Sequence, residues 1–375
     1  MSPATLTNLL HKKASALGFD LFGVVPVSRS KTIDIYKDWL QKGYAGTMEY
    51  LEQHAELKEN PRNLLPETLS LIALGCNYNN YNQFQETQDA SKARFSRYAW
   101  GDDYHEIIHS KLKVLKYYLC NELNAANLTR SFVDSGPVLE RELAQRAGIG
   151  WFGKHSNLIN MEKGSWFFLA EMLVDVELKA DLPFTRVDCG TCTKCIEACP
   201  TGAIIADRTV DARLCISYLT IEHKDSIPHE LRPKMGNHIF GCDICQEVCP
   251  WNKDAPISVE PGFKPRAENI SANLTELMSL DQAAFSNRFR KSPVKRAKRS
   301  GFLRNVAVAL GNWAHKDSIP ALVIGINDSE PLVRIHSAWA LGRINNKLAR
   351  KKLKSAMLIE KNPNVLREIV IALGE

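Results

Sequence analysis

Ten cysteines constrain this chain of 375 residues more than any other feature of its sequence. They stand at positions 76, 120, 189, 192, 195, 199, 215, 242, 245 and 249, so eight of the ten fall in one short segment. The first residues contain neither the apolar core of a signal peptide nor a twin arginine, which predicts a cytoplasmic protein. In a reducing compartment, such crowding indicates metal ligands rather than disulfides.

The first cysteine run has the spacing of bacterial ferredoxins. It reads Cys189-x2-Cys192-x2-Cys195-x3-Cys199-Pro200. In that motif three thiolates ligate one [4Fe–4S] cluster and the fourth ligates the other cluster. Zinc sites more often show two separated Cys-x2-Cys pairs, and buried free thiols need no fixed spacing. The run therefore favours iron–sulfur over either alternative.

The second run matches only the last three cysteines of the same motif, which are Cys242, Cys245 and Cys249. The position of the missing first cysteine is occupied by Ile239, whose side chain cannot ligate iron. Cys215 is the nearest remaining cysteine, and His238 is a weaker candidate. We therefore expect one cluster on Cys189, Cys192, Cys195 and Cys249, and the other on Cys199, Cys215, Cys242 and Cys245. Cys76 and Cys120 lie in apolar stretches and are expected to be unliganded.

Hydrophobic patterning predicts an α/β domain over residues 1–177. Apolar stretches at 19–27, 69–76 and 166–176 indicate strands. Apolar residues at 108, 112, 115 and 119 lie on one helical face, and Ser135-Gly136-Pro137 indicates a capped helix start, with Gly148 as its end. Residues 178–258 hold the cysteines and show little periodicity, so they are expected to need their metal in order to fold.

Residues 259–375 follow a proline-rich linker and contain an internal repeat. Ala-Leu-Gly occurs at 309–311, 340–342 and 372–374, with a period of about 30 residues, each time at the end of an apolar helical stretch. This period indicates HEAT-like helical repeats, and the alternative is an ordinary helical bundle.

A basic stretch opens the repeats. Residues 288–304 contain eight Lys and Arg residues and no acidic residue. Such a stretch attracts polyanions, and we expect Lys295, Arg296, Lys298 and Arg299 to contact nucleic-acid phosphates. The alternative is a solvated helix face.

Several cofactor classes lack their motifs. No Gly-x-Gly-x-x-Gly follows a strand, no Walker A sequence occurs, and the Cys-x3-Cys-x2-Cys of radical enzymes is absent. Two clusters imply single-electron transfer but do not identify a substrate.

Five stretches together resemble the epoxyqueuosine reductase family: VDSGPVLERELAQRAGIGWFGKHSNLI (133–159), RYAWGDDYH (97–105), CGTCTKCIEACPTGAI (189–204), CISYLTIEHK (215–224) and GCDICQEVCPWN (241–252). The resemblance implies an N-terminal cobalamin domain similar to nitroreductases and reductive dehalogenases, a ferredoxin-like domain with two [4Fe–4S] clusters, and HEAT-like repeats. It implies cobalamin-dependent reduction of epoxyqueuosine to queuosine at the wobble position of tRNA, the last step of queuosine biosynthesis.

The resemblance also assigns site residues. Asp134 is expected to be the general acid, a role that requires a raised pKa beside an apolar corrin. On the residues alone, the favoured interpretation of Asp134 is a helix-capping residue before Pro137. Further expected cofactor contacts are Arg97, Tyr104, His105, His155, Ser156, Asn157 and Ser217, and for each the alternative is a turn hydrogen bond or a solvated polar group. The Asp-x-His-x-x-Gly sequence of histidine-ligated cobalamin is absent.

Three alternatives remain at this stage. The first is a cytoplasmic reductive dehalogenase-like corrinoid enzyme, although that class usually carries a twin-arginine signal. The second is a non-enzymatic electron-transfer module on a HEAT scaffold, and the third is a flavin in place of cobalamin. We expect a monomer that does not associate with membranes and receives electrons from an external donor, which the sequence does not identify.

Overall fold

The computed structural model describes residues 1–80, 89–186 and 189–374. Its strands are β1 (Leu21–Pro26), β2 (Ser70–Asn77), β3 (Arg94–Phe95), β4 (Thr129–Phe132), β5 (Trp151–Phe152), β6 (Leu158–Ile159), β7 (Phe167–Val174), β8 (Ile204–Ala206), β9 (Thr209–Val210) and β10 (His238–Phe240). Its helices are α1 (Pro3–Ala16), α2 (Ile33–Gln41), α3 (Glu49–Gln53), α4 (Tyr104–Tyr117), α5 (Glu140–Arg146), α6 (Lys194–Ala198), α7 (Ile216–Ile221), α8 (Ile244–Glu247), α9 (Leu274–Leu277), α10 (Gln282–Arg288), α11 (Lys298–Trp313), α12 (Ile319–Ile326), α13 (Pro331–Ile344), α14 (Lys347–Met357) and α15 (Pro363–Leu373). None of these helices is long and apolar enough to cross a bilayer.

The N-terminal region is built on an antiparallel sheet of order β1-β2-β7-β4. The three apolar stretches of the sequence form β1, β2 and β7, each slightly shorter than predicted. Because successive side chains of a strand point to opposite faces, β2 sends Ile72 and Leu74 to one face and Leu71 and Ala73 to the other. The first pair joins the core with α1 and α4, and the second joins the core with α5. The sheet is therefore covered on both sides.

The predicted start of α5 is wrong. The helix begins at Glu140 rather than near Pro137, and its N-cap residue Leu139 makes no side-chain capping bond. Residues 133–139 form a separate loop in which Asp134 has a φ of 57°, so Asp134 is not a helix cap. Gly148 ends the helix at a φ of 78°, as expected for a residue without a β-carbon.

The cysteine segment and the helical repeats share one hydrophobic core. Ile216, Leu219 and Phe240 pack in the same cluster as α11 and α13. β10 also pairs in parallel with β3, which connects the cysteine segment to the N-terminal region. Phe263, which follows the predicted boundary at residue 258, packs on Phe168 of the N-terminal core.

The recurring Ala-Leu-Gly has a packing reason. A β-carbon at Gly311 would lie 2.9 Å from the Cα atom of Ala340, and one at Gly342 would lie 2.7 Å from the Cβ atom of Ala372. The glycine of each repeat therefore fits against the alanine of the next, which lets α11, α13 and α15 stack closely.

Arg304 ties the repeats to the cysteine segment. Its guanidinium is 1% exposed and donates to the carbonyl oxygens of Leu219, His223 and Asp225. Burial lowers its pKa to about 9. The carbonyls at this end of α7 are thus satisfied by a side chain from α11, and Arg304 has no role on the basic surface.

Two glycines of α11 give a matched test of repeat packing. Gly311→Ala should destabilise the protein by about 1–3 kcal/mol, because the new methyl group would lie 2.5 Å from the Trp339 ring. Gly301→Ala meets nothing within 4 Å and should stabilise the same helix by about 0.5–1 kcal/mol. The measurement is the melting temperature of the cluster-loaded protein. Equal shifts of the same sign in both variants would contradict the packing argument.

Candidate functional site

Asp134 lies on a loop at one end of the central sheet. The loop follows β4, and Phe132 of that strand pairs with Glu171 of β7. The side chain of Asp134 is 65% exposed, so the protein alone does not bury its carboxyl group. The resemblance implies burial beside a corrin. A left-handed φ costs an ordinary residue about 1–3 kcal/mol, and aspartate tolerates it better than most. This conformation directs the side chain of Asp134 toward α4.

Tyr104 holds the Asp134 carboxylate. Its hydroxyl donates to Asp134 Oδ2 at 2.5 Å. The ring stacks on Phe168 with a centroid distance of 4.1 Å and on His105 at 4.0 Å. Burial and the Asp134 charge both raise the pKa of the Tyr104 phenol, so it stays a donor. The structure therefore brings together Tyr104 and Asp134, two of the residues that the resemblance assigns to a site.

His105 adds a second proton-carrying group. Its Nε2 lies 3.9 Å from Asp134 Oδ2, and its Nδ1 lies 2.8 Å from Asp103 Oδ1. Burial lowers the pKa of His105, but the hydrogen bond to Asp103 and the nearby carboxylates outweigh it and raise the pKa overall. These contacts therefore favour the protonated form of the His105 imidazole more than water does.

The loop between β5 and β6 reaches this site through Arg141. Arg141 Nη1 donates to the carbonyl oxygen of Ser156 at 2.6 Å, and its charge acts on Asp134. His155 is 4% exposed, and burial lowers its pKa to about 4. Its Nδ1 accepts the backbone N–H of Asn157, which places the proton on Nε2. That Nε2 has no hydrogen-bond partner among the described residues.

Arg97 and Ser217 contact the cysteine segment. The Arg97 guanidinium lies 4.4 Å from the Trp166 ring centroid and donates to Asn79 Oδ1. The backbone N–H of Arg97 donates to Asp243, which follows Cys242 in the chain. Arg97 therefore connects the sheet with the second cysteine run. Ser217 is the second residue of α7, where its backbone N–H acts on the thiol of Cys215.

The eight clustered cysteines fall into two groups in space. Burial, and then the neighbouring thiols of Cys189, Cys195 and Cys192, raise the pKa of Cys249. Cys249 also packs with Cys189 around Trp151. The last cysteine of the second run thus lies with the first three cysteines of the first run.

The other four cysteines form the second group. Burial is the main cause that raises the pKa of Cys245, and the thiols of Cys242 and Cys215 add to it. Burial, and then the charge of Cys199, raise the pKa of Cys215. Burial alone would raise the pKa of Cys199, but hydrogen bonds from Thr201 and the Ala203 N–H lower it overall. Ile239 has no atom that can ligate iron, and it is fully buried in the core that β10 shares with the helical repeats.

The donor set suits metal clusters rather than single ions. Buried thiols whose charges repel one another become thiolates only when a cation binds between them. In the part of the chain that the structure describes, no three His, Cys, Asp or Glu side chains converge on a single-ion site. A cube of four irons takes each thiolate at a different corner, so its ligands need not converge. His238 is buried in β10, and burial lowers its pKa to about 3.

Part of the basic stretch is already paired, which the sequence did not indicate. Arg299 Nη2 lies 2.5 Å from Asp328 Oδ2, and the two side chains are 15% and 6% exposed. Arg296 Nε lies 2.8 Å from Glu222 Oε1, although the Arg296 side chain stays 56% exposed. The expectation of a stretch without acidic partners is therefore wrong for both residues. Lys295 and Lys298 are exposed.

Arg296 also borders the Asp134 site. Its guanidinium lies 6.0 Å from the ring centroid of Tyr50, and the charge of Asp134 acts on both side chains. Glu222 of α7 and Tyr50 of α3 thus form a rim where the helical repeats meet the N-terminal region.

Sequence reasoning missed two carboxyl groups whose pKa values respond to the charge of Asp134. Glu171 of β7 is 0% exposed, and Glu140, the first residue of α5, is half-buried. Burial, and then the Asp134 charge, raise the pKa of Glu140 to about 7. Burial and Glu140 raise the pKa of Glu171 well above its usual range. The available signal was a single acidic residue inside the apolar strand FFLAEMLV.

Comparisons with known proteins agree with this arrangement. Family profiles match epoxyqueuosine reductase QueG over residues 58–135, a 4Fe-4S double cluster binding domain over 188–252, and HEAT repeats over 299–374. The predictions of an iron–sulfur segment and of HEAT-like repeats are thereby confirmed. An epoxyqueuosine reductase of Xanthomonas campestris pv. campestris is 42% identical over 345 residues, which cover 91% of this chain and 97% of that protein.

Solved structures are similar over nearly the whole chain. An epoxyqueuosine reductase crystallised with an epoxyqueuosine-modified tRNA-Tyr stem loop has a TM-score of 0.92 and 30% identity, covering 99% of this chain and 98% of its own. The epoxyqueuosine reductase of Bacillus subtilis, solved with the catalytic loop of an aspartate swung out of the active site, has a TM-score of 0.90 and 29% identity. That match covers 99% of this chain and 98% of the Bacillus chain.

The spatial grouping of the cysteines makes a specific prediction. Cys249→Ala should remove about half of the iron, and the cluster lost should be the one bound by Cys189, although Cys249 belongs to the second run. The measurement is iron content together with electron paramagnetic resonance of the reduced protein. The spectrum should match that of Cys189→Ala and differ from that of Cys242→Ala.

Cys120→Ala is the matched control, because this thiol lies outside both groups, and iron content should stay at the parental level. If the spectrum of Cys249→Ala matched that of Cys242→Ala instead, each run would bind its own cluster and the crossed assignment would be wrong.

Proposed function

The chain belongs to the epoxyqueuosine reductase family, and we propose that it reduces epoxyqueuosine to queuosine at the wobble position of tRNA anticodons. The similarity extends over nearly the whole chain, and the observation that carries the proposal is the Asp134 carboxyl held by Tyr104 at the end of the sheet. We therefore prefer an oxidoreductase of this family to the two alternatives of a dehalogenase-like enzyme and a non-enzymatic electron-transfer module. We further propose a monomeric cytoplasmic enzyme supplied by an external electron donor.

The reaction sets the requirements on the site. Removal of the epoxide oxygen as water consumes two electrons and two protons and leaves a carbon–carbon double bond. Iron–sulfur clusters carry electrons one at a time, and cobalamin, when bound, would supply a strongly reducing centre next to the substrate. The chain itself must bind the cofactors, deliver two protons and hold the tRNA.

The β5–β6 loop fits a corrin with amide side chains. The Nε2–H of His155 is buried and lacks an acceptor, so it suits the carbonyl oxygen of a corrin amide. Ser156 and Asn157 follow it, and Arg141 ties the loop to Asp134. We propose that His155, Ser156 and Asn157 hold the cofactor at this side, with Tyr104 and His105 at the other.

The crossed cysteine groups fit an electron path. In the proposed assignment, Cys189, Cys192, Cys195 and Cys249 hold one cluster, and Cys199, Cys215, Cys242 and Cys245 hold the other. Ser217 directs its N–H toward Cys215 at the start of α7, so it would lie between the second cluster and the cofactor. Arg97 contributes indirectly, by fixing Asp243 next to Cys242.

Asp134 and His105 can supply the two protons. Asp134 donates the first to the epoxide oxygen, and the resulting carboxylate is stabilised by the Tyr104 hydroxyl and the His105 cation. His105 can then return a proton to Asp134 for the departure of water, because its hydrogen bond to Asp103 and the nearby carboxylates raise its pKa above that of a free histidine. The Asp134 loop of this chain is proposed to move in and out of the site, as the aspartate loop does in the Bacillus relative.

The basic surface is proposed to hold tRNA phosphates. Lys295 and Lys298 are exposed, and neither forms an ion pair in the part of the chain that the structure describes. Arg296 lies at the rim of the site with its side chain 56% exposed. Phosphate contacts position a nucleic acid without reading its sequence. The wobble base must therefore leave the anticodon stack and be selected next to Asp134.

Asp134→Asn should bind clusters, cofactor and tRNA normally but lower the turnover rate by about 10²–10⁴-fold, because an amide supplies no acidic proton. Single-turnover assays on epoxyqueuosine-modified stem loops measure this directly. Tyr104→Phe keeps the stack on Phe168 and removes only the hydrogen bond, so a loss of about tenfold is expected. Near-parental turnover of Asp134→Asn would exclude the acid role.

Charge reversal separates the tRNA surface from the structural arginine. Lys295→Glu with Lys298→Glu should weaken binding to all tRNAs, and each lost contact should lower the slope of log K against log salt by about 0.7–0.9. Iron content should be unchanged. Arg299→Gln should instead lower the melting temperature, because Asp328 loses its buried partner, while the salt slope stays parental. An unchanged salt slope in the double lysine variant would mean that the stretch is only a solvated face.

A further inference from the structure

The turn between β8 and β9 lies against the β5–β6 loop that is proposed to hold the cofactor. Arg208, at the tip of this hairpin, donates its backbone N–H to the carbonyl oxygen of Lys154 at 3.0 Å. The backbone carbonyl oxygen of Arg208 accepts the Ser156 hydroxyl at 3.4 Å. Lys154 and Ser156 are the two neighbours of the buried His155 in the chain, so one residue of the hairpin holds the loop on both sides of that imidazole.

Two side-chain contacts extend the same interface. Arg208 Nε donates to the carbonyl oxygen of Phe152 at 3.3 Å, and Lys154 Nζ lies 3.4 Å from Asp207 Oδ2. The Lys154 side chain is only 12% exposed, so this ion pair is partly shielded from water. The hairpin therefore contacts three alternate residues, from the end of β5 through the loop.

Both sides of this interface have left-handed backbone. Arg208 has a φ of 64° and Ser156 a φ of 71°, a region that residues with a β-carbon rarely adopt. Such conformations persist when the surrounding contacts determine them. At Ser156 those contacts come from Arg208 and from Arg141, whose Nη1 donates to the Ser156 carbonyl oxygen. Arg208 uses both of its backbone groups on the loop, so the conformations of the turn and of the loop depend on each other.

The base of the hairpin is fixed by the second cysteine group and by α2. Before β8, the Ala203 N–H donates to Cys199 Sγ at 3.3 Å. In β9, the Val210 carbonyl oxygen accepts the indole N–H of Trp39 at 2.7 Å, and Val210 pairs with Ile204 of β8. Because both strands are anchored, the tip has a defined position from which it can hold the loop.

We propose that the tip of the β8–β9 hairpin sets the conformation of the cofactor loop, and that the left-handed backbone of Arg208 is the positioning element. The hairpin keeps Lys154 and Ser156 in place, so the His155 Nε2–H keeps its direction toward an acceptor that the described residues do not supply. A loop without this support would be ordered only when the cofactor binds, and that ordering lowers affinity. The inference rests on the proposed function for the identity of the ligand, but the contact between hairpin and loop is a property of the protein alone.

Arg208→Val and Arg208→Gly form a matched pair. Both remove the Nε bond to Phe152, but only the β-branched valine opposes the left-handed backbone, whereas glycine adopts it freely. Binding of hydroxocobalamin to the cluster-loaded protein, measured by equilibrium dialysis, should weaken about tenfold in Arg208→Val. Arg208→Gly should stay within about threefold of the parent, because it keeps the backbone contacts. Equal losses in the two variants, or parental affinity in Arg208→Val, would overturn the role of the Arg208 backbone.

Hydrogen exchange follows the loop without any cofactor. Three loop amides donate to acceptors within the loop, those of Gly153, Ser156 and Asn157. Arg208→Val should speed exchange of a peptide that contains them, and Arg208→Gly should leave it near the parental rate. If the peptide of Arg208→Val exchanged as slowly as that of the parent, the hairpin would not hold the loop.

Ala314→Val is the control for strain placed elsewhere. Ala314 ends α11 in the helical repeats with a φ of 51°, so valine meets the same backbone conflict there. This variant should lower the melting temperature and leave the affinity for hydroxocobalamin unchanged. A tenfold loss of affinity in Ala314→Val as well would assign the effect to general destabilisation and overturn the positioning role of Arg208.

The inference and the proposed function fail in different ways. If the parent bound no hydroxocobalamin, the cofactor assignment of the proposed function would be wrong, and hydrogen exchange would still decide whether the hairpin holds the loop. If the parent bound hydroxocobalamin and the valine and glycine variants of Arg208 did not differ, the cofactor assignment would stand and the positioning role would be wrong.

Discussion

Eight clustered cysteine thiols are the constraint on which the rest of this structure depends. For Cys245 and Cys249, burial and neighbouring thiols make ionisation unfavourable, and a bound cation would reverse that balance. Each group draws cysteines from both runs, and Cys215 comes from a third position, so metal binding fixes segments that are otherwise short loops and one-turn helices. Iron binding and folding of this segment are therefore coupled.

The same segment also anchors its neighbours. Cys215 is the N-cap residue of α7, and the carbonyls at the other end of this helix accept hydrogen bonds from the buried Arg304 of α11. Asp243, next to Cys242, accepts the backbone N–H of Arg97. Loss of the clusters would thus loosen contacts with both the helical repeats and the sheet.

Features that depend on local spacing could be predicted from the sequence, and features that depend on distant partners could not. The cysteine spacing and the Ala-Leu-Gly period identified the iron–sulfur segment and the repeats, because each is imposed by contacts at a fixed separation. The sequence predicted that Arg299 contacts phosphate, because its partner Asp328 is 29 residues away in the chain and no local pattern reveals their ion pair. Asp134 and Tyr104 were grouped through family resemblance alone, since nothing in their spacing shows that α4 passes beside the loop after β4.

Arg296 connects the basic stretch with the region around Asp134. Its guanidinium pairs with Glu222 and lies 6.0 Å from the ring centroid of Tyr50, and the charge of Asp134 acts on both Arg296 and Tyr50. If, as proposed, Lys295 and Lys298 hold tRNA phosphates, the bound polyanion competes with Glu222 for Arg296. Binding of tRNA would then rearrange the charged groups at the edge of the Asp134 site, so the proposed binding surface and the proposed site are coupled through electrostatics.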